Sequence, residues 1–467
     1  MRHYGRFTLA AIIWGAVTFG AVYAWAYWPL VSGCALLGFI GLRGDDPNGG
    51  WQRWLTFALA LIGLGAALQL VPLPRSLLLT LGPSTDRFLQ EYILGYAGHP
   101  PPSHPLSVAP QQTTRGVLLF LGFSLFLLGL IKHIPLVNIE NMVRRLAIFA
   151  SVMTVFAVVQ KAMSGPDPTE LVYGFWKPNA PGNPFGPFIN RNHFAGWMLM
   201  AAPLVFGFAL GQLDRSGLKG RGWASLSRWF GSAEGSQFIL PMLAALAMGA
   251  SIAISGSRSG MASFVVAVIV SAAFVWSRFF RSMRSALLMA AVAAALVLAV
   301  FAWTGLEAAV GRFATATQDA GGRISAWRDT TRIIRDFPIF GVGLNAYGTA
   351  MLVYQSGDRR LFYKEAHNDY LQIVAEGGLL LAVPAVMAIA IVAYQIRARF
   401  HEGRDPPMTR WIRTGAVAGL AAIAAQSLIE FSLQMPGNTV LFLVLVAIAV
   451  HRSRRSVHAI SQHRHAA

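Results

Sequence analysis

Apolar runs of membrane-spanning length recur along the 467 residues of this chain, and they decide what it can fold into. A backbone crossing lipid has no water to satisfy its N–H and C=O groups, so each run reads as a helix of about 20 residues. Such runs fall near 8–27, 29–42, 51–71, 116–132, 146–163, 194–212, 238–254, 260–277, 285–303, 378–396, 414–430 and 438–451. Twelve crossings place both termini on one side. The second run is short and begins at Pro29; as a re-entrant piece it leaves eleven. Composition agrees, because 55% of the residues are hydrophobic and only 12% charged, against roughly a quarter charged in soluble domains. The expected fold class is an all-α polytopic integral membrane protein of about 12 transmembrane helices.

The net charge of +18 invites a nucleic-acid partner, but the basic residues fall on the wrong places for one. With both ends cytoplasmic, 23 of the 38 Lys and Arg lie on the short inside connectors and tails. The positive-inside rule accounts for that placement, so no nucleic acid is expected. Ala24-Trp25-Ala26 resembles a signal-peptide cleavage site, yet hydrophobicity continues past it, and an uncleaved first helix is the better reading. Cys34 is the sole cysteine, so the chain makes no internal disulfide and no thiolate cluster.

The longest polar interval, 304–377, separates the ninth and tenth runs and reads as a large outer loop. Eight basic residues crowd into it, against the trend elsewhere. Long loops escape the positive-inside rule, which is one cause; an anionic ligand is another. At the helical period, Arg328, Arg332 and Arg335 share one face while Arg323 falls with Trp327, Thr330 and Ile334 on the other. An arginine facing the protein needs an anion or several acceptors. Pro338, Gly341 and Gly343 then end the helix in a turn. Proline-rich residues 72–115 read as a second outer segment, a surface cap.

Three further places carry polar residues at run boundaries. Arg258 sits among Ser255, Ser257, Ser259 and two glycines at a tight turn. One reading is an arginine reaching lipid phosphates; the other is a phosphate clamp, since guanidinium binds diphosphate bidentately and keeps its charge. His367 precedes Asn368, Asp369 and Tyr370 at the entry to the tenth run, as a packed residue or as a base. Asn190, Arg191, Asn192 and His193 open the sixth run, as capping residues or as ligand contacts. The histidines are scattered without ligand spacing, so no metal site and no cofactor are expected.

These motifs, in this order, resemble the bacterial O-antigen ligases and the related Wzy-type polysaccharide polymerases. The resemblance rests on Ser257-Arg258-Ser259-Gly260, on Arg323 and Trp327 before Pro338 and Gly341-Val342-Gly343, on His367-Asn368 before Glu376-Gly377, and on Asn190-Arg191-Asn192-His193. It implies a GT-C-like, metal-independent inverting glycosyltransferase of the bacterial inner membrane with its active site facing the periplasm. The donor it implies is a glycan on undecaprenyl diphosphate, and the acceptor another glycan or lipid A-core. Arg258 and Arg323 are then expected to hold the diphosphate and His367 to be the catalytic base. Asn190, Arg191, His193 and Asn368 become donor or acceptor contacts.

The implied division is helices 1–9 over 1–303 with the periplasmic cap 72–115, a catalytic loop 304–377, helices 10–12 over 378–451, and a basic cytoplasmic tail 452–467. Membrane lipid and other polysaccharide-assembly membrane proteins are its expected partners. Polymerase and ligase differ only in the acceptor, and the motifs lean toward a polymerase of exopolysaccharide or O-antigen. A flippase for lipid-linked oligosaccharide shares the composition. Transporters place ionisable groups near mid-membrane, whereas here the candidates gather at the outer ends of the runs.

Overall fold

The apolar runs form helices in the computed structural model, which describes residues 3–43, 50–134, 137–163, 171–178, 183–216, 223–279, 316–357, 362–403 and 405–452. Sixteen α-helices lie among them. These are α1 (Tyr4–Val17), α2 (Ala24–Leu42), α3 (Trp51–Leu68), α4 (Arg75–Leu81), α5 (Pro83–Tyr92), α6 (Pro110–His133), α7 (Ile139–Met163) and α8 (Arg191–Arg215). There follow α9 (Trp223–Phe230), α10 (Ala233–Ile254), α11 (Arg258–Phe279), α12 (Ala316–Asp336), α13 (Tyr347–Tyr354), α14 (Asp369–Glu402), α15 (Pro407–Gln426) and α16 (Pro436–Val450).

Eight of these helices are long and apolar enough to cross a membrane: α2, α3, α6, α7, α8, α10, α11 and α14. The chain is therefore a multi-pass membrane protein. Helices α1 and α16 are apolar but shorter, and α15 carries Arg410 and Arg413. The run expected at 285–303 lies outside the described residues, as do most of the tail 452–467 and part of the loop 304–377. The first boundary moves. A run expected over 8–27 stops at Val17, and a 3-10 turn over Phe19–Ala21 holds Phe19, Gly20 and Ala21 all at positive φ. Pro29, taken as the start of a short second run, lies inside α2, whose 19 residues suffice to span.

Helix α8 is the axis of the bundle. It packs against α7, α10, α11, α15 and α16, and nearly its whole length is buried. Glycine permits its closest contact: a Cβ at Gly207 or Gly415 would run into the backbone of Trp411 or Pro203 across the α8–α15 interface. Small residues of this kind are what let membrane helices associate where lipid is as apolar as leucine. On α14, by contrast, Leu379, Val383, Val386 and Ile389 are exposed at helical spacing, an apolar stripe fit to face lipid.

The two ends of the bundle differ. One gathers the ion pairs Arg215–Glu140 (2.8 Å), Arg278–Asp214 (3.3 Å), Arg399–Glu402 (2.7 Å) and Arg413–Asp405. The other gathers the start of α8, the α10–α11 turn, the start of α14 and the turn between α15 and α16. Helices α12 and α13 and the 72–115 segment form a small second core there, in which Phe88, Leu89, Tyr96 and Val108 pack with Ile333, Phe337, Tyr347, Met351 and Ala366. A two-stranded pairing of β1 (Leu73–Pro74) with β2 (Ser103–His104) closes that segment.

A turn-in-break interlock fixes this second core to the bundle. Helix α14 is interrupted at Gly378 (φ 53°, ψ −155°), and the turn after α12 enters the gap. Leu379 and Leu380 donate to the carbonyls of Pro338 and Ile339, and Val342 and Gly343 donate to Ala375 and Glu376, all at 2.9–3.0 Å. Buried Gln69 completes the joint: its Nε2 donates to Phe340 and Glu376 carbonyls at 2.6 and 2.8 Å, and its Oε1 accepts from Leu344 N at 2.9 Å. The Leu379 and Leu380 N–H groups and the Ala375 and Glu376 carbonyls, on either side of the break, thus find partners within protein.

Candidate functional site

Glu430 is a fully buried carboxylate in the turn between α15 and α16, and the candidate residues converge on it. Arg323, on the inner face of α12, donates from its Nη2 to Glu430 Oε1. The side chain of Asn192, in the first turn of α8, donates to the same oxygen at 2.7 Å. The His367 Nδ1 lies 3.6 Å from the other oxygen, Oε2, close enough for electrostatic attraction and too far for a hydrogen bond. Both Nδ1 and Oε2 are buried without a hydrogen-bond partner among the described residues.

Each contributor is placed by local chemistry. Arg323 points inward for the reason read from the helical period: Arg328, Arg332 and Arg335 are exposed, while Trp327 and Thr330 face the protein. Trp327 Nε1 donates to the Ala366 carbonyl at 3.0 Å, and Thr330 shares a hydrogen bond with the Tyr347 hydroxyl at 2.8 Å. These bonds seat α12 against the residue just before His367. His367 itself has φ +51°, a left-handed backbone that costs a non-glycine residue energy and persists only where its surroundings impose it. Asn368 imposes it from one side, capping α14 through Leu371 N (3.0 Å) and donating to the Leu428 carbonyl (2.9 Å). Asp369 N adds a bond to the Ser427 carbonyl at 2.9 Å. The turn carrying Glu430 is thereby fastened to the residues that follow His367.

Arg258 opens α11 and is half-buried. The serine before it, Ser257, donates to Asn192 Oδ1 at 2.8 Å, so one side chain separates the Arg258 turn from Glu430. Gln426 and Ser432 tie the Asn192 carbonyl to the same region at 3.2 and 3.3 Å. Phe431 stands between two imidazoles, its ring edge-on to His193 (4.9 Å) and to His367 (4.8 Å). His193 is buried, with Nε2 unpaired among the described residues. Asn190 is the cap of α8, accepting from Asn192 N at 2.8 Å, and Arg191 N donates to the Asn183 carbonyl at 2.8 Å.

A second carboxylate network supports the first. Glu376, buried, accepts from Asn345 N at 2.7 Å and from Gln372 at 3.1 Å. Gln372 also donates to Glu365 at 2.8 Å and to Gln434 at 3.0 Å. Burial pushes the Glu365 carboxyl above the usual carboxylate range, partly offset by the Gln372 hydrogen bond and by the nearby charges of Lys364 and His367.

The structure therefore brings Arg323, His367 and the Arg258 turn to one place, with His193 beside them, and it uses Asn190 and Asn368 as helix caps. Glu430 and Phe431 were not singled out from sequence, and Asn192 was read there only as one of the polar residues opening the sixth run. The only sign of Glu430 there is an acid closing an otherwise uncharged run.

Exposure divides the cluster by access. The side chains of Arg323 and His367 are 29% and 28% exposed while Glu430 is wholly shielded. Because Nδ1 is among the buried atoms, the exposed part of the His367 ring is the part turned from Glu430. A ligand outside meets a guanidinium and an imidazole, both backed by one buried anion.

Fold and site together define a polytopic α-helical membrane protein with an arginine–carboxylate–histidine centre at one end of the bundle. Residues 243–386 match the family model described as O-antigen ligase (Wzy_C), a similarity that supports the resemblance drawn from the motifs. The matched stretch holds Arg258, Arg323 and His367; Asn192 precedes it and Glu430 follows it. No curated protein matches the chain.

Proposed function

We propose that the chain is a membrane glycosyltransferase that moves a glycan from undecaprenyl diphosphate to a glycan hydroxyl at the periplasmic face, polymerising exopolysaccharide or O-antigen. The convergence of Arg323 and His367 on Glu430, with the Arg258 turn one side chain away, is the observation that carries this reading. In it the protein has about twelve spans in a GT-C-like arrangement, with 304–377 as catalytic loop, 72–115 as cap, and the bundle end rich in ion pairs facing the cytoplasm.

Arg258 and Arg323 hold the diphosphate. Matching its charge makes it a competent leaving group, because fixed charges aimed at a developing anion are worth more in a shielded site than in water. The acceptor hydroxyl attacks the anomeric carbon opposite the diphosphate and inverts it. The new glycosidic bond forms as the bond to the diphosphate oxygen breaks, its electron pair leaving with undecaprenyl diphosphate. The hydroxyl proton passes to His367, whose ring is reachable from outside. Arg191 flanks the acceptor path, His193 lies buried behind it against Phe431, and Asn190 and Asn368 hold the backbone at the two helix starts.

The description of the matched family favours a second reading, in which the same chemistry attaches the chain to lipid A-core. Deleting the gene and analysing the glycan decides between them. Single repeats on lipid A-core identify a polymerase, and long chains left on undecaprenyl diphosphate identify a ligase. Donor accumulating at the cytoplasmic face identifies a flippase and overturns the transferase reading.

A further inference from the structure

Glu430 neutralises the very guanidinium that the proposed mechanism needs for diphosphate, and that conflict points to a role for it. An arginine paired with a buried carboxylate is a poor anion receptor until the pair opens. Arg323 is able to open it, being 29% exposed and reachable by a ligand while its partner is not. A diphosphate carries more charge than one carboxylate and offers oxygens matched to the guanidinium fork. Glu430 is unable to follow. Its turn is fastened through Asn368 to the Leu428 carbonyl and through Asp369 to the Ser427 carbonyl.

Once Arg323 turns to the ligand, the Glu430 carboxylate keeps one hydrogen bond among the described residues, from Asn192 at 2.7 Å to Oε1. A buried carboxylate that loses its counter-ion is costly and draws the nearest available hydrogen-bond donor. That place is already laid out: Oε2 is unpaired, and His367 Nδ1 stands 3.6 Å away, equally unpaired among the described residues. A shift of about 0.7 Å makes this a hydrogen bond of ordinary length. His193, the other imidazole against Phe431, is buried and does not meet an acceptor sugar.

Resting on the transferase reading above, we infer that Glu430 is an exchangeable counter-ion: it holds Arg323 in the donor-free protein, yields it to the donor's diphosphate, and then pairs with His367. It is a positioning residue, touching neither sugar nor diphosphate. Donor binding thereby prepares the base. With Glu430 on Nδ1, the imidazole presents Nε2 as the acceptor for the hydroxyl proton, and the imidazolium formed is stabilised where it arises. Before the donor arrives Glu430 is committed to Arg323, which leaves the base unsupported and guards against transfer from the wrong donor.

The test uses purified full-length protein in lipid nanodiscs, an undecaprenyl-diphosphate-linked repeat as donor and a glycan acceptor. Transfer by the wild-type protein establishes the underlying reading, and its absence overturns that reading rather than the role of Glu430. In Glu430→Gln the amide no longer competes as an anion for Arg323 and presents an N–H to Nδ1, fixing the wrong tautomer. The expected result is a split: kcat falls about 10²-fold while the donor KM falls severalfold. Wild-type kcat, or a lowered kcat with a raised donor KM, overturns the exchange. Should the glutamine variant be lost from membranes, Glu430→Asp decides, because it keeps the charge and withdraws it from Nδ1. Exchange predicts a donor KM near wild type with a reduced kcat, and an unchanged kcat contradicts it.

Discussion

Arg323 and Glu430, 107 residues apart in sequence, form an ion pair that joins the amphipathic helix α12 to the turn before α16. The pair sets two expectations that separate catalysis from stability. Arg323→Ala removes the diphosphate contact and also strands a buried charge, so transfer is lost and stability falls by about 1–3 kcal/mol, reduced from a fully buried case because the arginine is partly solvated. The double variant Arg323→Ala, Glu430→Gln regains most of that stability without regaining transfer. Thermal melts in detergent beside a transfer assay check both, and a double variant no more stable than the single one contradicts the pairing.

His367→Ala is expected to lower kcat by about 10²–10⁴-fold, the usual worth of a general base. The imidazole is 28% exposed and makes no hydrogen bond through Nδ1 among the described residues, so its removal leaves the amount of protein in membranes unchanged. Immunoblots of membranes accompany the rate measurement.

Gly341→Ala tests the interlock of the turn after α12 with the break in α14. Gly341 has φ +67°, and a Cβ there would fall on the Glu376 carbonyl, a backbone atom with nowhere to go. Strain and collision together predict a destabilisation of about 3 kcal/mol or more, read as loss of folded protein. Gln69→Ala acts on the same joint more mildly. It strands the Phe340 carbonyl and the Leu344 N–H and removes one of the two donors to the Glu376 carbonyl, costing about 2–4 kcal/mol, and lowers the melting temperature.

The raised Glu365 carboxyl gives a pH-dependent expectation. Burial makes the folded protein bind this proton more tightly than the unfolded chain does. The stability it confers is complete below the usual carboxylate range and is lost as pH rises through the raised value. Glu365→Gln, whose amide oxygen still accepts from Gln372, is therefore more stable than wild type at neutral pH. That advantage vanishes in acid. Melting temperatures of the two proteins across pH show whether the curves converge in that direction.

How much was legible beforehand depends on the range of the interaction. Eight of the twelve expected spans were, because a backbone in lipid leaves a run of about 20 apolar residues. The inward face of Arg323 was, because the helical period needs only its neighbours. Proline and glycine announced the turn at 338–343, but its insertion into the break at Gly378 rests on hydrogen bonds between distant strands of chain. The break at Phe19–Ala21 was hidden, since two of its three positive-φ residues are types that give no turn signal. Glu430 was hidden most. A single carboxylate closing an apolar run looks like a helix-end residue until Arg323, Asn192 and His367 are seen around it.

The central claim is that Arg258, Arg323 and His367 act together on a diphosphate-linked donor, and the most direct measurement is transfer in vitro. Purified wild-type protein is given an undecaprenyl-diphosphate-linked repeat and an acceptor, beside Arg258→Ala, Arg323→Ala and His367→Ala proteins of matched amount. The account predicts product and released undecaprenyl diphosphate from wild type, and product reduced at least about 10²-fold in every variant. Wild-type rates from any one of the three would remove that residue from the mechanism, and equal rates from all four would contradict the site itself.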